Sequence, residues 1–479
     1  MPDDSRQTAW LERIGDRLPT IYLVLALVLT GLLAWMTAPF FGPDEPNQAC
    51  RAIALSHGVL IPQMGTSEGG AQIDAGAYAA MDGVNDLRMA WERRSPDFHD
   101  RHFGPLTVDA QRPLGSIRWA RRTVFVPFGN TAVYPPVLYL PAMLGWRIGE
   151  AADLTIFNSL RLARLFSALT AIALGWLALR IAGSSRWRLL PFLLLPSTLF
   201  LNASCSQDAV LLSVAALVVA MLSRALAAQR AFTNTELAVM AVLLALCGSA
   251  RPPNIALALV LFLPAIELTG ATWRRFLAPA AAFGTVMAMC AAWMYTAAPL
   301  GLQWSDEADP ELQGIFLRAH PFAAVAAVVK GTVAAGGDFF HRGLYVVGWN
   351  DLLPHHGIAA ILTVCLAVIA LTAPSFPLRT WRGRVLLALA VAGPLLGISL
   401  AEYIIWTPPG GHTVFGIQPR YWLPMMPLAT MLAHGMRKPR WLIGASALLA
   451  LVACTLPWMA AHAFYRDGVV RVFLLNLHD

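Results

Sequence analysis

The chain has 479 residues, 57% of them hydrophobic and only 13% charged, with a mean hydropathy of +0.57. Soluble domains carry roughly 25% charged residues, so a deficit sustained over this length excludes a large soluble enzyme and predicts a polytopic membrane protein. The formal charge of +7 comes largely from arginine, and the placing of those arginines accounts for it without a nucleic-acid partner.

In chain order, the first apolar run covers 19–38, the length needed to cross a bilayer, about 20 residues. The following "WMTAPFFG" offers no small-x-small cleavage site, so the run reads as a retained first transmembrane helix. Further runs fall at 158–181, 188–202, 208–229, 235–250, 253–270, 276–299, 356–373, 384–405, 420–434 and 441–463. The expectation is an all-α polytopic protein of about eleven transmembrane helices, a single integral membrane domain over 1–479. Its parts are the first helix (19–38), a long extracytoplasmic loop with surface helices (39–157), a bundle (158–299), a second extracytoplasmic loop (300–355) and C-terminal helices (356–479). Thr233 stands three residues before Glu236 and predicts a capping box at the start of one helix.

Short basic loops orient such a chain. With Arg6, Arg13 and Arg17 in the cytoplasm, every inside connection is basic: Arg180, Arg186 and Arg188; Arg224 and Arg230; Arg274 and Arg275; Arg379, Arg382 and Arg384; Arg437, Lys438 and Arg440. The long polar stretches then lie outside, together with "TPPGGHTVFGIQPR", and loops of that length beside a bundle are usually functional.

"FFGPDEPNQACRAIALSHG" places Asp44 and Glu45 at the outer end of the first helix. Ala49, Ile53 and Ala54 follow helical spacing, predicting a short amphipathic helix at the membrane surface. The carboxylates have two readings there: a helix cap with Pro46 in the first turn, or a general base at the lipid–water boundary. "YPPVLYLP", from Tyr134, reads as a short helix leading into the next span. Arg161 and Arg164 run against the basic-inside trend and need a carboxylate, a lipid phosphate or an interface position. Arg251 in "SARPPN" and Arg420 in "GIQPRYWLP" share the outer layer, and guanidinium groups suit phosphates. Asp306 and Glu307 form a rival acidic pair that reads as solvated loop. Asp338, His341, Asp351, His355 and His356 could make a metal site but match no specific metal motif, so no cofactor is expected and a divalent metal stays open without support from the spacing. The six cysteines show no metal spacing, and a Cys50–Cys205 disulfide stays open. P-loop, dinucleotide and serine-hydrolase motifs are absent from the sequence.

The ordered set "GPDEPNQACRAIALSHG", "YPPVLYLPAMLG", "RLARLFSAL", "SCSQDA", "SARPPN", "GLYVVGWNDLLP" and "GIQPRYWLP" resembles a bacterial membrane family catalogued as domain of unknown function 2142. The set departs from that pattern at Asn47 (commonly histidine), Arg251 (commonly lysine) and Pro419 (commonly glycine). The family in turn resembles GT-C glycosyltransferases. That resemblance implies an enzyme of the bacterial cytoplasmic membrane, active on its extracytoplasmic face. It would move a sugar from a polyprenyl-phosphate donor to a glycan or lipid-linked acceptor. Asp44 would be the base, with Glu45 its neighbour or substitute; Arg251 and Arg420 would hold the departing phosphate, and Arg161, Tyr134 and Asp351 are further candidate substrate-binding residues. The alternative functions are a transporter or flippase and a non-catalytic scaffold for lipid-linked saccharide export.

Overall fold

The structure, a computed structural model, describes residues 10–92, 108–269, 272–301, 308–345, 347–348, 356–374, 378–433, 435–436 and 438–464. Lipid cannot hydrogen-bond a backbone, so apolar segments of spanning length satisfy their own N–H and C=O groups as helices. Among the described residues seven helices are long and apolar enough to cross a membrane: Trp10–Met36, Ile156–Ile181, Gln207–Ala227, Trp273–Leu300, Pro321–His341, Trp381–Ile405 and Pro439–His462. Three shorter apolar helices, Asn234–Ala250, Pro252–Glu267 and His356–Thr372, complete the bundle. The class is thus an all-α membrane protein, and Thr233 and Glu236 form the expected capping box.

Two expected crossings are not continuous helices. The 188–202 run splits into Arg186–Leu193 and Pro196–Asn202, because Leu195 precedes a proline and is extended (ψ 136°). The 420–434 run opens as a 3-10 turn, Pro419–Met425, and continues as one α turn, Met426–Met431, with Pro424 and Pro427 preventing a regular ladder.

The stretch expected as a second polar loop instead contains the 21-residue helix Pro321–His341. His341 stacks on His356, at the start of His356–Thr372, with ring centroids 4.7 Å apart. The preceding helix, Pro310–Ala319, meets Gly410 through Gln313, whose Oε1 accepts the Gly410 N–H at 2.9 Å. The segment after His356–Thr372 is anchored by long-range contacts: Arg188 donates to the Ala373 and Pro374 carbonyls, and Glu267 accepts the Arg379 and Thr380 N–H groups. Asp306 and Glu307 lie outside the described residues.

The first long stretch folds over the end of the bundle that carries Asp44. Beside its helices it forms a three-stranded antiparallel sheet, Gln63–Met64, Gly69–Asp74 and Thr123–Pro127, with the second strand central. Asp74 ties sheet to helix: Oδ1 accepts the Gly76 and Ala77 N–H groups, capping Ala75–Glu92, and Oδ2 accepts the Arg121 N–H at 2.8 Å. Gly70 allows the strands to meet, since a Cβ there would stand 2.3 Å from the Val126 carbonyl oxygen.

Beneath this cover lies Glu45–Ser56, the helix expected at the membrane surface. It is buried on nearly every face, with Glu45, Gln48 and Arg51 each at 2% exposure or less. Its polar residues are interior connections. Arg51 donates to the Val59, Leu60 and Tyr134 carbonyls, and Tyr139 Oη donates to Gln48 Oε1. The Tyr134 segment becomes a 3-10 turn, Pro136–Tyr139, and a helix, Leu140–Ala151. That helix packs on Ile156–Ile181 at backbone distance, a Cβ at Gly145 falling 2.4 Å from Ala163 N. Small residues give helix pairs this approach where burial from water offers no driving force.

Candidate functional site

The turn after the first helix is strained. Phe40 (φ 62°) and Asp44 (φ 53°) are both left-handed, a conformation that costs a residue with a Cβ unless its surroundings hold it. Phe40 is wedged against Phe157, ring centroids 6.2 Å apart. Asp44 occupies the N-cap position of Glu45–Ser56, yet its side chain makes no capping hydrogen bond. The cap reading of Asp44 therefore describes its backbone alone. Its Oδ2 instead accepts from Arg420 Nη2, a residue 376 positions away.

Glu45, one residue on, has a different fate. Arg164 donates Nε to Oε1 at 2.8 Å and Nη2 to Oε2 at 2.5 Å, with the two side chains at 1% and 0% exposure. Cys205 N–H reaches Oε1 at 2.9 Å and Gly42 N–H reaches Oε2 at 3.0 Å. Arg164 spends its other N–H groups on the Ala34, Thr37 and Ala38 carbonyls. Burial pushes the Glu45 carboxyl up, but Arg164 and the two backbone donors outweigh it and hold the group below the usual carboxylate range. This pair locks the end of the first helix to Ile156–Ile181, and Glu45 has no face open to a substrate. Of the two candidate acids, Glu45 is the one whose oxygens are both taken up by donors inside the protein.

Around Asp44 four segments distant in sequence converge. Arg251 Nη2 donates to Asp208 Oδ1 at 2.7 Å, and Arg420 Nη1 stands 3.6 Å from Asp208 Oδ2 and 3.3 Å from the Pro43 carbonyl. Tyr421 carries both guanidinium groups against its ring, Arg251 at 4.6 Å and Arg420 at 5.4 Å from the centroid. Asp208 and Arg420 are nearly inaccessible (side chains 2% and 6% exposed), whereas Asp44 keeps 24%. Asp44 is thus the open edge of a buried alternation of acids and arginines. Tyr134 joins it, its backbone fixed by Arg51 and its phenol in the field of Arg251, Arg420, Asp44 and Asp208. Burial pushes that phenol up to about 12 in spite of the two arginines, so Tyr134 stays a hydroxyl donor at neutral pH.

Several buried polar atoms of these residues have no hydrogen-bond partner among the described residues: Asp208 Oδ2, Arg251 Nη1 and Arg420 Nε; the same holds for Glu402 Oε2 and for both amide atoms of Gln207, next to Asp208 in the chain, and of Asn254, three residues after Arg251. Buried polar groups are overwhelmingly paired, so these atoms are open to a further hydrogen-bond partner.

Of the sequence candidates, Asp44, Arg251, Arg420 and Tyr134 come together. Arg161 does not. It lies on the Trp35 ring at 4.6 Å and donates to Asn158 Oδ1 at 2.7 Å, while its neighbour Arg164 makes the carboxylate contact. Asp351 and His355 lie outside the described residues, and among the described residues no group of three metal-ligating side chains occurs. Cys50 and Cys205 are both free and buried, Cys50 beside Met81 Sδ at 3.7 Å and Cys205 accepting from Trp146 Nε1, so the open disulfide is not formed. The sequence reading missed Asp208 as a site residue, although "SCSQDA" contains it. It also missed Glu402, whose signal was a lone acid inside an apolar run.

Fold and site together define a polytopic membrane protein with an ionised, largely buried cluster at one end of its bundle. The chain belongs to the family of predicted membrane proteins DUF2142, whose model matches residues 27–429 and so takes in every member of the cluster. No curated protein and no solved structure matches the chain.

Proposed function

We propose that this protein is a membrane glycosyltransferase that moves a sugar from a polyprenyl-phosphate donor to a cell-surface glycan or lipid-linked acceptor. It would work at the extracytoplasmic face of the bacterial inner membrane, with its N-terminus cytoplasmic. The observation that carries this reading is the convergence of one accessible carboxylate, Asp44, with two arginines, Arg251 and Arg420, at the membrane-end layer of the bundle. The basic loops that the sequence places on the opposite side support the orientation.

In this mechanism the donor's phosphate engages Arg420 and Arg251, which now hold Asp208 and Asp44 in its place. Drawing Arg420 toward the phosphate opens the Asp44 carboxylate to the acceptor hydroxyl. The acceptor oxygen bonds to the sugar's anomeric carbon as the bond from that carbon to the phosphate oxygen breaks. Asp44 takes the hydroxyl proton, and the phosphate leaves with the bonding pair. Its developing charge is met by the guanidinium groups in a water-poor site, where preorganised charge is most effective. Purified protein supplied with polyprenyl-phosphate sugars and an acceptor should release polyprenyl phosphate. Asp44→Asn should abolish release while leaving insertion and folding intact. Full release by Asp44→Asn would refute the base assignment, and absence of release by the native chain across the donor panel would point to transport or scaffolding.

A further inference from the structure

Glu402 stands near the C-terminal end of Trp381–Ile405, 8% exposed, and its Oε2 has no hydrogen-bond partner. Its helix packs against the Pro419–Met425 turn that carries Arg420 and Tyr421, so Glu402 adjoins the same cluster from a sixth segment of chain, within electrostatic reach of Arg251 and Arg420. The oxygen is kept open by Gly416: a Cβ there would stand 2.6 Å from it, and the backbone at φ +85° favours glycine on its own account. Asp208 Oδ2 is the second acceptor without a donor, 3.6 Å from Arg420 Nη1.

These acceptors sort the possible occupants. A bare phosphate or a simple phosphate ester brings only acceptor oxygens. It would satisfy Arg251 Nη1 and Arg420 Nε but leave both carboxylate oxygens unmet and repelled. A cation would meet the carboxylates, yet Asp208 is already paired with Arg251 and Arg420, and Glu402 lies in the field of the same two arginines; what both lack is hydrogen-bond donors more than charge. Neutral hydroxyl groups supply donors without adding charge. Neighbouring hydroxyls on a ring suit carboxylate oxygens, and the Gln207 and Asn254 amides, unpaired at both atoms, offer the mixed donor–acceptor pattern that hydroxyls complete.

We propose that Glu402, with Asp208 Oδ2, binds sugar hydroxyl groups next to an arginine-held phosphate, so that this site selects glycosyl phosphates over other phosphate esters. Glu402 is then the residue that reads the sugar. The inference rests on the phosphate role given to Arg251 and Arg420 above, and needs no group transfer.

The test is equilibrium binding to the full chain in lipid nanodiscs, without acceptor. The probes are methyl phosphate and the 1-phosphates of glucose, galactose, mannose, N-acetylglucosamine and glucosamine. At least one neutral sugar phosphate should bind about tenfold or more tighter than methyl phosphate, the scale of a hydrogen bond to a charged group. Glu402→Leu and Glu402→Gln should erase or reduce that preference while methyl phosphate binding is kept or strengthened by loss of a repelling carboxylate, a differential that loss of structure would not produce. Gly416→Ala, which crowds Oε2 without removing the charge, should shift the preference in the same direction. Equal binding of methyl phosphate and every sugar phosphate by the native chain overturns the proposal, as does a preference that survives Glu402→Leu. Tight binding confined to glucosamine 1-phosphate overturns it in favour of an ammonium partner. If methyl phosphate and all sugar phosphates fail to bind, the phosphate role of the arginines falls as well, whereas a sugar preference without polyprenyl-phosphate release would leave this inference standing and refute only the transferase reading.

Discussion

Neutralising Glu45 and neutralising Asp44 should have opposite consequences, although the two are adjacent in sequence. Glu45→Gln keeps the shape but leaves Arg164 charged at 1% exposure with carbonyl oxygens as its only acceptors. The amide nitrogen also replaces an oxygen that accepts from Arg164, Cys205 or Gly42. Removing one partner of a buried pair costs about 3–5 kcal/mol, because the remaining charge is stranded. Asp44→Asn removes a partner whose side chain is 24% exposed and leaves Arg420 with Asp208 and the Pro43 carbonyl. That loss should fall near 1 kcal/mol, as solvent screens the exposed side of the pair. Tryptophan fluorescence during thermal unfolding in one detergent would compare the two directly. Glu45→Gln should lower the midpoint by several degrees and reduce folded yield. Asp44→Asn should barely move it and should abolish polyprenyl-phosphate release. A Glu45→Leu/Arg164→Leu double variant should recover much of the loss, since apolar replacement of a whole buried pair is close to neutral. The assignment of roles would fail if Asp44→Asn destabilised as strongly as Glu45→Gln, or if Glu45→Gln unfolded at the native midpoint.

Because Glu45 is held below its ordinary range, its contribution is fully present above the unfolded carboxyl value, about 4.3, and is lost as pH falls through the folded one. The midpoint difference between native chain and Glu45→Gln should stay constant from pH 8 to pH 5 and shrink in more acidic buffer; a difference that vanishes already near pH 6 contradicts the pair. Arg420→Lys keeps the charge but cannot span Asp44, Asp208 and the Pro43 carbonyl with a planar fork. It should slow release by about 10²–10³, the scale seen when one transition-state donor is removed, and a rate within twofold of native would remove Arg420 from the mechanism. Gly145→Ala places a methyl 2.4 Å from a backbone nitrogen and must push two helices apart, at a cost of about 1–3 kcal/mol, visible as a lower unfolding midpoint. Thr233→Ala should cost about 1 kcal/mol through the lost cap alone, without touching ligand binding.

Much of the fold follows from local composition. Helices form wherever an apolar run is long enough, because lipid allows the backbone few other solutions, and the Thr233–Glu236 box marks its own helix start by spacing alone. Prolines 196, 424 and 427 were equally visible as breaks, yet apolar length overrode them in the reading of two crossings. The helix Pro321–His341 was hidden for the converse reason, its alanines and glycines sitting between polar flanks that looked like loop. Tertiary structure alone decided what the charges do. Asp44 and Glu45 share the same turn, but Asp44 is left-handed at the N-cap while Glu45 begins the helix, which sends one toward Arg420 and the accessible edge and the other toward Arg164 in the interior. Arg161 and Arg164, three apart on one helix, divide in the same way between the Trp35 ring and the buried carboxylate. Asp208, Arg251 and Arg420 meet only because separate helices end at the same level. A sequence records which residues carry charge, but a buried charge must find its partner across the chain, and only the folded chain brings the two within hydrogen-bond distance.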